Sequence, residues 1–287
     1  MPAQRSNGEA LSMMSFLDCT VIVPNLQRQG HMTSENGFII HRPERLEPMV
    51  VAHRGASGSA PENTAASFSL ALERGADAVE FDIHQTADGR LVVMHDETLE
   101  RTTDGTGLIV EKKFGELQTL DAGAWYGPGF AGERIPSLEE ALSIITPRAY
   151  ALVEIKHGGD IYPETEGRIA AVMAAHPEWK GRAVFIAFDP GILQKLREID
   201  SGLNTGLLTA DPPEEYLDVA EEFGIQSFFP RWEKLKDESV KLLHGSGYTV
   251  HPWVMDREED VKKVLAMKPD SISSNYPGML RRLLRQD

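Results

Sequence analysis

Apolar and polar residues follow two alternating patterns along the chain from about residue 50. Short runs rich in β-branched and other apolar residues are typical of buried strands, and the segments between most of them carry the i, i+3, i+4 apolar spacing of amphipathic helices. The runs predict eight strands, at residues 50–53, 78–83, 150–155, 183–187, 205–208, 225–229, 248–253 and 271–274. The other pattern predicts helices at residues 64–74, 138–145, 164–175, 190–199, 213–223, 237–244, 258–266 and 276–284.

This alternation indicates an α/β protein. Strands that alternate with helices form a parallel, helix-covered sheet, and eight strands are the number that closes a (β/α)8 TIM barrel. We therefore predict a single barrel over residues 49–287, while a doubly wound open sheet is the alternative that the pattern leaves open.

One interval breaks the alternation. The start of the second strand at Ala78 and that of the third at Tyr150 are 72 residues apart, far too many for one strand–helix unit. The interval includes a stretch rich in Gly and aromatic residues, with Trp125, Tyr126 and Phe130. We predict that about residues 96–136 form a small insertion after the second strand, lying over the barrel mouth.

Residues 1–48 lack this pattern and are predicted to be an N-terminal extension. An apolar stretch at residues 12–24 is interrupted by Asp18 and has no basic region or cleavage site before or after it, so we expect no secretory signal and a cytoplasmic protein. Met13, Met14 and Met32 are alternative starts, and residues 38–41 could form a short strand that covers a barrel end.

Composition narrows the possible function classes. The chain has 287 residues and a formal net charge of −15, which argues against broad nucleic-acid binding but not against a phosphorylated small molecule held by a metal ion. Cys19 is the single cysteine, which excludes disulfide frameworks and Cys-based zinc sites. No run approaches 18 apolar residues, so we expect no transmembrane segment. Nothing in the sequence indicates the oligomeric state.

Three carboxylates lie on predicted neighbouring strands. Glu80 and Asp82 are two residues apart, so their side chains point to the same side of the sheet, and Glu154 lies on the next barrel strand. Buried like charges are costly unless a positive group lies between them. Carboxylates without a thiolate suit Mg²⁺ or Ca²⁺, with Mn²⁺ possible, and we predict a divalent-cation site; pairing with Arg or Lys at the strand ends is the alternative.

Two histidines and two cations accompany these acids at the predicted strand ends. Imidazole exchanges protons near neutral pH, so His53 and His95 are candidates for the catalytic acid/base pair. Arg54 and Lys156 would supply the positive charge that binds phosphate. A metal, two histidines and two cations suit attack on a phosphodiester, in which charge grows on the phosphoryl oxygens.

Other residues allow weaker predictions. Asn63 is the predicted N-cap of the first helix, and Glu62 beside it could be a metal ligand or a hydrogen-bond partner. Trp253 at a strand end could form a wall of the substrate pocket. His84 follows the metal pair and is expected at the loop surface. Four further histidines are expected to be structural or exposed: His157, His176, His244 and His251.

The ordered motifs resemble those of the glycerophosphodiester phosphodiesterase family over about residues 49–287. The resemblance rests on His53-Arg54-Gly55, Pro61-Glu62-Asn63-Thr64, Glu80-Phe81-Asp82, Asp88-Gly89, His95-Asp96, Arg101-Thr102-Thr103, Ile135-Pro136-Ser137-Leu138-Glu139-Glu140, Glu154-Ile155-Lys156, Trp253 and Asn275-Tyr276-Pro277. It implies a TIM barrel with a small insertion and hydrolysis of glycerophosphodiesters to sn-glycerol 3-phosphate and an alcohol with a divalent cation. It also implies that His53 and His95 are the acid/base pair, that Glu80, Asp82 and Glu154 hold the metal, and that Arg54 and Lys156 contact phosphate.

Some positions depart from the family pattern: Ser274-Asn275 replaces a usual Thr-Asp, Val254-Met255-Asp256 replaces Thr-Val-Asn, and Ala187 and Ser59 also differ. We expect these differences at the pocket wall and loops, affecting the substrate rather than catalysis. Two alternatives remain from the sequence: a lysophospholipase D-type phosphodiesterase acting on lysolipids, and a non-catalytic barrel that binds phosphate.

Overall fold

The structure is a computed structural model that describes residues 47–159 and 161–285. Nine strands form one sheet in the described part of the chain. They are β1 (Met49–His53), β2 (Ala78–Gln85), β3 (Leu91–Val93), β4 (Tyr150–Ile155), β5 (Ala183–Ala187), β6 (Asn204–Thr209), β7 (Ser227–Pro230), β8 (Thr249–Val250) and β9 (Ser271–Ser274).

The α-helices lie mainly between these strands. They are α1 (Ala65–Glu73), α2 (Phe114–Leu117), α3 (Leu138–Ile145), α4 (Thr165–Ala175), α5 (Pro190–Ile199), α6 (Leu217–Glu222), α7 (Asp237–Gly245), α8 (Glu258–Leu265) and α9 (Pro277–Leu284). None of the described helices is both long and apolar enough to cross a bilayer.

Eight of the strands form a nearly closed parallel barrel, in the order β8-β7-β6-β5-β4-β2-β1-β9. Backbone hydrogen bonds join its two ends, from Asp270 N to Val250 O at 2.9 Å and from Met255 N to Ser273 O at 2.8 Å. The predicted TIM barrel is therefore confirmed, and the open doubly wound sheet is excluded because the last strand pairs with the first.

Side chains alternate between the two faces of the barrel strands. On the inner face, apolar residues such as Val51, Leu152 and Ile186 pack against one another inside the barrel. On the outer face, residues such as Phe81 and Phe185 pack against the helices. Continuous burial along β2 and β5 reflects this position between a filled interior and a helix layer.

The insertion after β2 begins with β3, which pairs antiparallel with the end of β2. It has its own small apolar core, and Asp121 folds its Gly-rich part by accepting hydrogen bonds from the backbone nitrogens of Gly123, Ala124 and Gly132. The predicted bounds of the N-terminal extension and of the barrel stay a prediction. The short strand predicted at residues 38–41 lies outside the described residues.

Four local predictions are wrong. Thr64, not Asn63, caps α1, because its hydroxyl accepts from Ser67 N. His84 is buried in β2, which the pairing with β3 extends beyond residue 83. The predicted helix 213–223 consists of a 3₁₀ turn, Pro213–Tyr216, followed by α6, and β8 is only two residues long.

Candidate active site

The end of β1 turns sharply into the site. Arg54 and Gly55 both adopt positive φ, at 53° and 79°. A Cβ on Gly55 would lie 2.4 Å from Ser67 Oγ, so this position needs glycine for both its conformation and its close contact with α1. The turn directs Arg54 N toward the barrel mouth, where it donates to Glu80 Oε2 at 2.9 Å.

Three carboxylates meet at this mouth. In the sheet register Glu80 lies beside His53, and Asp82 lies beside Glu154. One oxygen from each of the three carboxylates can be chosen so that all lie within 4.8 Å of one another. Residues two apart on a strand share a face, so the inner face of two neighbouring strands is sufficient to assemble this group.

Two cations face the carboxylates. Lys156 Nζ lies 2.6 Å from Glu154 Oε1 and 2.8 Å from Asp82 Oδ1, and Arg54 Nε lies 3.5 Å from Asp82 Oδ2. Burial opposes ionisation of Asp82, but Lys156 and Arg54 outweigh it and lower the pKa of this carboxyl. Burial and the Asp82 charge raise the pKa of Glu154 to about 7 and that of Glu80 well above its ordinary value.

This donor set fits a divalent cation. None of the described residues makes a well-aligned hydrogen bond to the buried Asp82 Oδ1, although the Lys156 ammonium is near. This one ammonium is shared between Asp82 and Glu154, so a further positive group would be needed to balance the remaining carboxylate charge. The three carboxylates outnumber their two cations and offer only hard oxygen ligands, so Glu80, Asp82 and Glu154 are the described residues that could hold Mg²⁺, Ca²⁺ or Mn²⁺.

The His53 side chain lies at the edge of this group. Its Nε2 is 3.9 Å from Glu80 Oε2, and its Nδ1 is 2.7 Å from Asn275 Oδ1. Burial, followed by the nearby Arg54 charge, lowers the pKa of His53 to about 4, so the neutral imidazole predominates.

His95 faces the same mouth from the segment after β3. Its Nδ1 lies 2.7 Å from Asp96 Oδ1, and burial lowers the pKa of its imidazole. Arg101 binds the same Asp96, with Nε 2.6 Å from Oδ2, and also donates two hydrogen bonds to Glu62. Glu62 accepts from Arg54 Nη1 at 3.0 Å as well, so this carboxylate lies between two guanidinium groups.

His84, in β2, contacts the backbone of His95. Its Nε2 lies 3.0 Å from the backbone oxygen of His95, which can only accept, so Nε2 donates and Nδ1 accepts from the Tyr162 hydroxyl at 2.6 Å. Burial lowers the pKa of His84 to about 4. Tyr162 could not be connected with this site by sequence reasoning, because the contact joins residues 78 positions apart.

A cavity of about 210 Å³ unites most of the predicted residues. Its charged side consists of side chains from β1, β2 and β4 and the segments that follow β1, β3 and β4, namely His53, Arg54, Glu80, His95, Glu154 and Lys156. Its other side is largely apolar and comes from β5 to β8 and the residues just after them, namely Ile186, Phe188, Leu208, Phe229 and Trp253. The charged groups and the apolar wall therefore occupy two adjacent arcs of the barrel.

The remaining predicted residues lie beside this cavity. Asp82 is buried beneath Lys156, where it also accepts from Asn63 Nδ2 at 2.8 Å, and Glu62 reaches the cavity through Arg54. Two of the positions that depart from the family pattern lie in the loops after β8 and β9, next to His53: Asn275 contacts its ring, and Asp256 contacts Asn275.

Comparison with known proteins identifies the family. The model of the glycerophosphoryl diester phosphodiesterase family matches residues 53–279, from His53 at the end of β1 into α9. The chain belongs to this family. As a family member it is a phosphoric diester hydrolase.

Relatives cover nearly the whole barrel of this family member. The glycerophosphodiester phosphodiesterase of Caldanaerobacter subterraneus subsp. tengcongensis is 34% identical over 242 residues, which is 84% of this chain and 99% of the relative. That of Bacillus subtilis is 31% identical over 259 residues, 84% of this chain and 87% of the relative. A phosphodiesterase from Oleispira antarctica, solved in complex with the product sn-glycerol-3-phosphate, has a TM-score of 0.78 and 30% identity, covering 83% of this chain and 97% of its own.

Proposed function

We propose that this protein hydrolyses glycerophosphodiesters to sn-glycerol 3-phosphate and an alcohol, using a divalent cation and two histidines. The observation that supports it best is that three carboxylates, two imidazoles and two fixed cations lie together in and directly beside one cavity in a member of this family. The relative from Oleispira antarctica holds sn-glycerol-3-phosphate as product, which is the phosphate product expected here.

The residues would divide the work according to their chemistry. A cation bound by Glu80, Asp82 and Glu154 would act as a Lewis acid toward the phosphoryl oxygens. Arg54 and Lys156 lie beside these carboxylates and would add fixed positive charge where negative charge grows in the transition state. One imidazole, of His53 or His95, would take a proton from the attacking oxygen, and the other would give a proton to the leaving alcohol.

The apolar side of the cavity would bind the neutral part of the substrate. Phe188 and Trp253 contact each other edge to face, with ring centroids 5.9 Å apart, and border the opening. Such rings bind the carbon face of glycerol or the methyl groups of choline, which makes glycerophosphocholine and glycerophosphoethanolamine suitable first substrates.

The first test is metal dependence. Protein treated with EDTA should release no glycerol 3-phosphate from glycerophosphocholine, and Mg²⁺, Ca²⁺ or Mn²⁺ added singly should restore the release. Glu154→Gln should remain inactive because it loses a charged ligand, while Asp200→Asn, an acid-to-amide change at the half-buried ion pair with Lys180, should behave as the unchanged protein. Full turnover in EDTA would disprove the metal assignment. Release of choline from lysophosphatidylcholine but not from glycerophosphocholine would favour the lysolipid alternative.

The second test concerns the histidines. His53→Ala and His95→Ala should each lower kcat for glycerophosphocholine by about 10²- to 10⁴-fold with the fold intact, because each loses one proton transfer. Thermal unfolding would verify the fold, and ³¹P NMR of the reaction would show whether a cyclic glycerol phosphate forms before the product. Turnover that survives in both variants would contradict the two-histidine mechanism.

A further inference from the structure

The loops that follow β8 and β9 meet beside His53. Asn275 Oδ1 lies 2.7 Å from His53 Nδ1, and Asn275 Nδ2 donates to Asp256 Oδ2 at 2.6 Å. Asp256 is therefore two hydrogen bonds away from the imidazole. A chain of hydrogen bonds of this kind can set the tautomer and orientation of the imidazole, although its outer members do not contact the substrate.

Asp256 is itself held firmly. Its Oδ1 accepts from the backbone nitrogen of Asn275 at 2.9 Å and from the hydroxyl of the buried Ser274 at 2.8 Å, and its Oδ2 accepts from the Asn275 amide. Three donors on two oxygens fix the position of the carboxylate. It therefore presents one defined acceptor to the Asn275 side chain.

This acceptor determines which way the Asn275 amide faces. An asparagine amide can place either its oxygen or its nitrogen toward a neighbour, and the hydrogen-bond network decides between them. Ser57 Oγ lies 2.7 Å from both Asn275 Oδ1 and His53 O, and its one hydrogen can go to only one of these acceptors, so Ser57 would also accommodate a reversed amide, whose NH₂ could donate to its oxygen. Asp256 would not, because a reversed amide would set two acceptor oxygens against each other.

The amide orientation in turn fixes the His53 ring. Asn275 Oδ1 can only accept, so His53 must carry its hydrogen on Nδ1, and the neutral ring then has its lone pair on Nε2. That Nε2 faces the carboxylates, 3.9 Å from Glu80 Oε2. We propose that Asp256 and Asn275 are positioning residues that hold His53 in the Nδ1-protonated tautomer, with Nε2 ready to accept a proton. The catalytic part of this inference rests on the proposed function.

An exchange of the two side chains tests the proposal. In Asp256→Asn the new NH₂ can face Asn275 and allow the Asn275 amide to reverse, so kcat for glycerophosphocholine should fall about 10- to 100-fold while KM stays unchanged. In the double variant Asp256→Asn/Asn275→Asp the new carboxylate accepts from His53 and the new amide donates to it. The double variant should recover kcat about tenfold over Asp256→Asn, since the lost energy is a coupling between the pair. Asp200→Asn is the matched control, an acid-to-amide change outside the site.

The tautomer itself is measured by ¹⁵N–¹H NMR of the imidazole nitrogens near neutral pH, with His53→Gln used to assign the His53 signals. The unchanged protein and the double variant should show Nδ1 protonated, and Asp256→Asn should show a mixture. Protonation on Nε2 in the unchanged protein would overturn the proposal, as would Asp256→Asn that keeps both its tautomer and its kcat. A loss of kcat and melting temperature with the tautomer unchanged would also overturn it, by showing a purely structural role. Absence of hydrolysis in the unchanged protein would contradict the proposed function alone, because the NMR signals do not depend on turnover.

Discussion

At the scale of single residues, Glu62 illustrates how the structure separates two chemical interpretations. From the sequence this acid could be a metal ligand or a hydrogen-bond partner. In the structure both of its oxygens accept from guanidinium groups, of Arg54 and Arg101, and these two charges outweigh burial and lower its pKa. These contacts favour the interpretation that Glu62 is a hydrogen-bond partner that holds Arg54 in position.

The substitution Glu62→Gln should distinguish the two roles. The amide would point its NH₂ at one arginine and release Arg54, so KM for glycerophosphocholine should rise about tenfold, since a charge-assisted hydrogen bond contributes about 1.5–3 kcal/mol. The Mg²⁺ concentration needed for half activation should stay the same, measured by titrating metal into EDTA-treated enzyme. A large rise in that concentration would instead identify Glu62 as a metal ligand.

Residue positions were predictable where strand periodicity determines them. Glu80, Asp82 and Glu154 came together because side chains two apart share a face and neighbouring strands lie in register. The surroundings of His53 were not predictable, because Asp256 and Asn275 lie in separate loops and their hydrogen bonds depend on three-dimensional closure. His84 was missed because β3 is what extends β2.

At the scale of elements, the turn from β1 to α1 carries the most tightly constrained backbone at the site. Gly55 places its Cα against Ser67 in the first turn of α1, and Ser67 Oγ in turn lies 3.1 Å from Arg54 O. Strand, turn and helix are thereby connected at the point where His53 and Arg54 enter the mouth.

The variant Gly55→Ala should destabilise the protein by about 3 kcal/mol, because the new Cβ adds both a positive-φ penalty and a contact with Ser67 that is too close. Urea unfolding would measure it. Gly115→Ala in α2 is the matched control, since its Cβ meets nothing within 4 Å and alanine favours a helix. Equal stability of the two variants would show that the turn is not constrained in this way.

Strands and helices were predictable where buried apolar residues recur with a regular spacing. They were less predictable in short helical turns, where this spacing is not distinctive. The eight barrel strands were located from their apolar runs, with ends that differ by a few residues. The 3₁₀ turn before α6 follows Pro212 and begins at Pro213, and both prolines restrict the backbone there. The apolar spacing of this segment predicts one continuous helix, because that spacing does not distinguish a 3₁₀ turn from a turn of α-helix.

At the scale of the whole molecule, buried histidines connect stability to pH. His251 lies inside the barrel, where its two ring nitrogens lie 2.9 Å from Ser271 Oγ and from Thr249 Oγ1, and burial lowers its pKa to about 4. Between pH 6.5 and about 4 the unfolded chain thus binds a proton that folded His251 does not. The stability that His251 provides is complete above that window and is lost as the pH falls through it.

Replacing His251 with Gln should therefore flatten the dependence of the unfolding free energy on pH. His251 accounts for about 3 kcal/mol of the loss on acidification through that window, since folding lowers its pKa from 6.5 to about 4. Urea titrations across the window would measure the slope, with His176→Gln as a histidine-to-glutamine control near the surface. An identical slope in His251→Gln and the unchanged protein would disprove this source of pH dependence.

The division of the cavity into two arcs has a consequence for how such enzymes diversify. The apolar wall, from Ile186 to Trp253, comes from one continuous stretch of chain, whereas the charged groups lie before it. Two recombination points, one before β5 and one after Trp253, would replace the entire wall and leave every charged group of the cavity in place. If the protein acts as proposed, exchanging this one segment would change the specificity for the alcohol and leave unchanged the groups proposed to act on the phosphodiester.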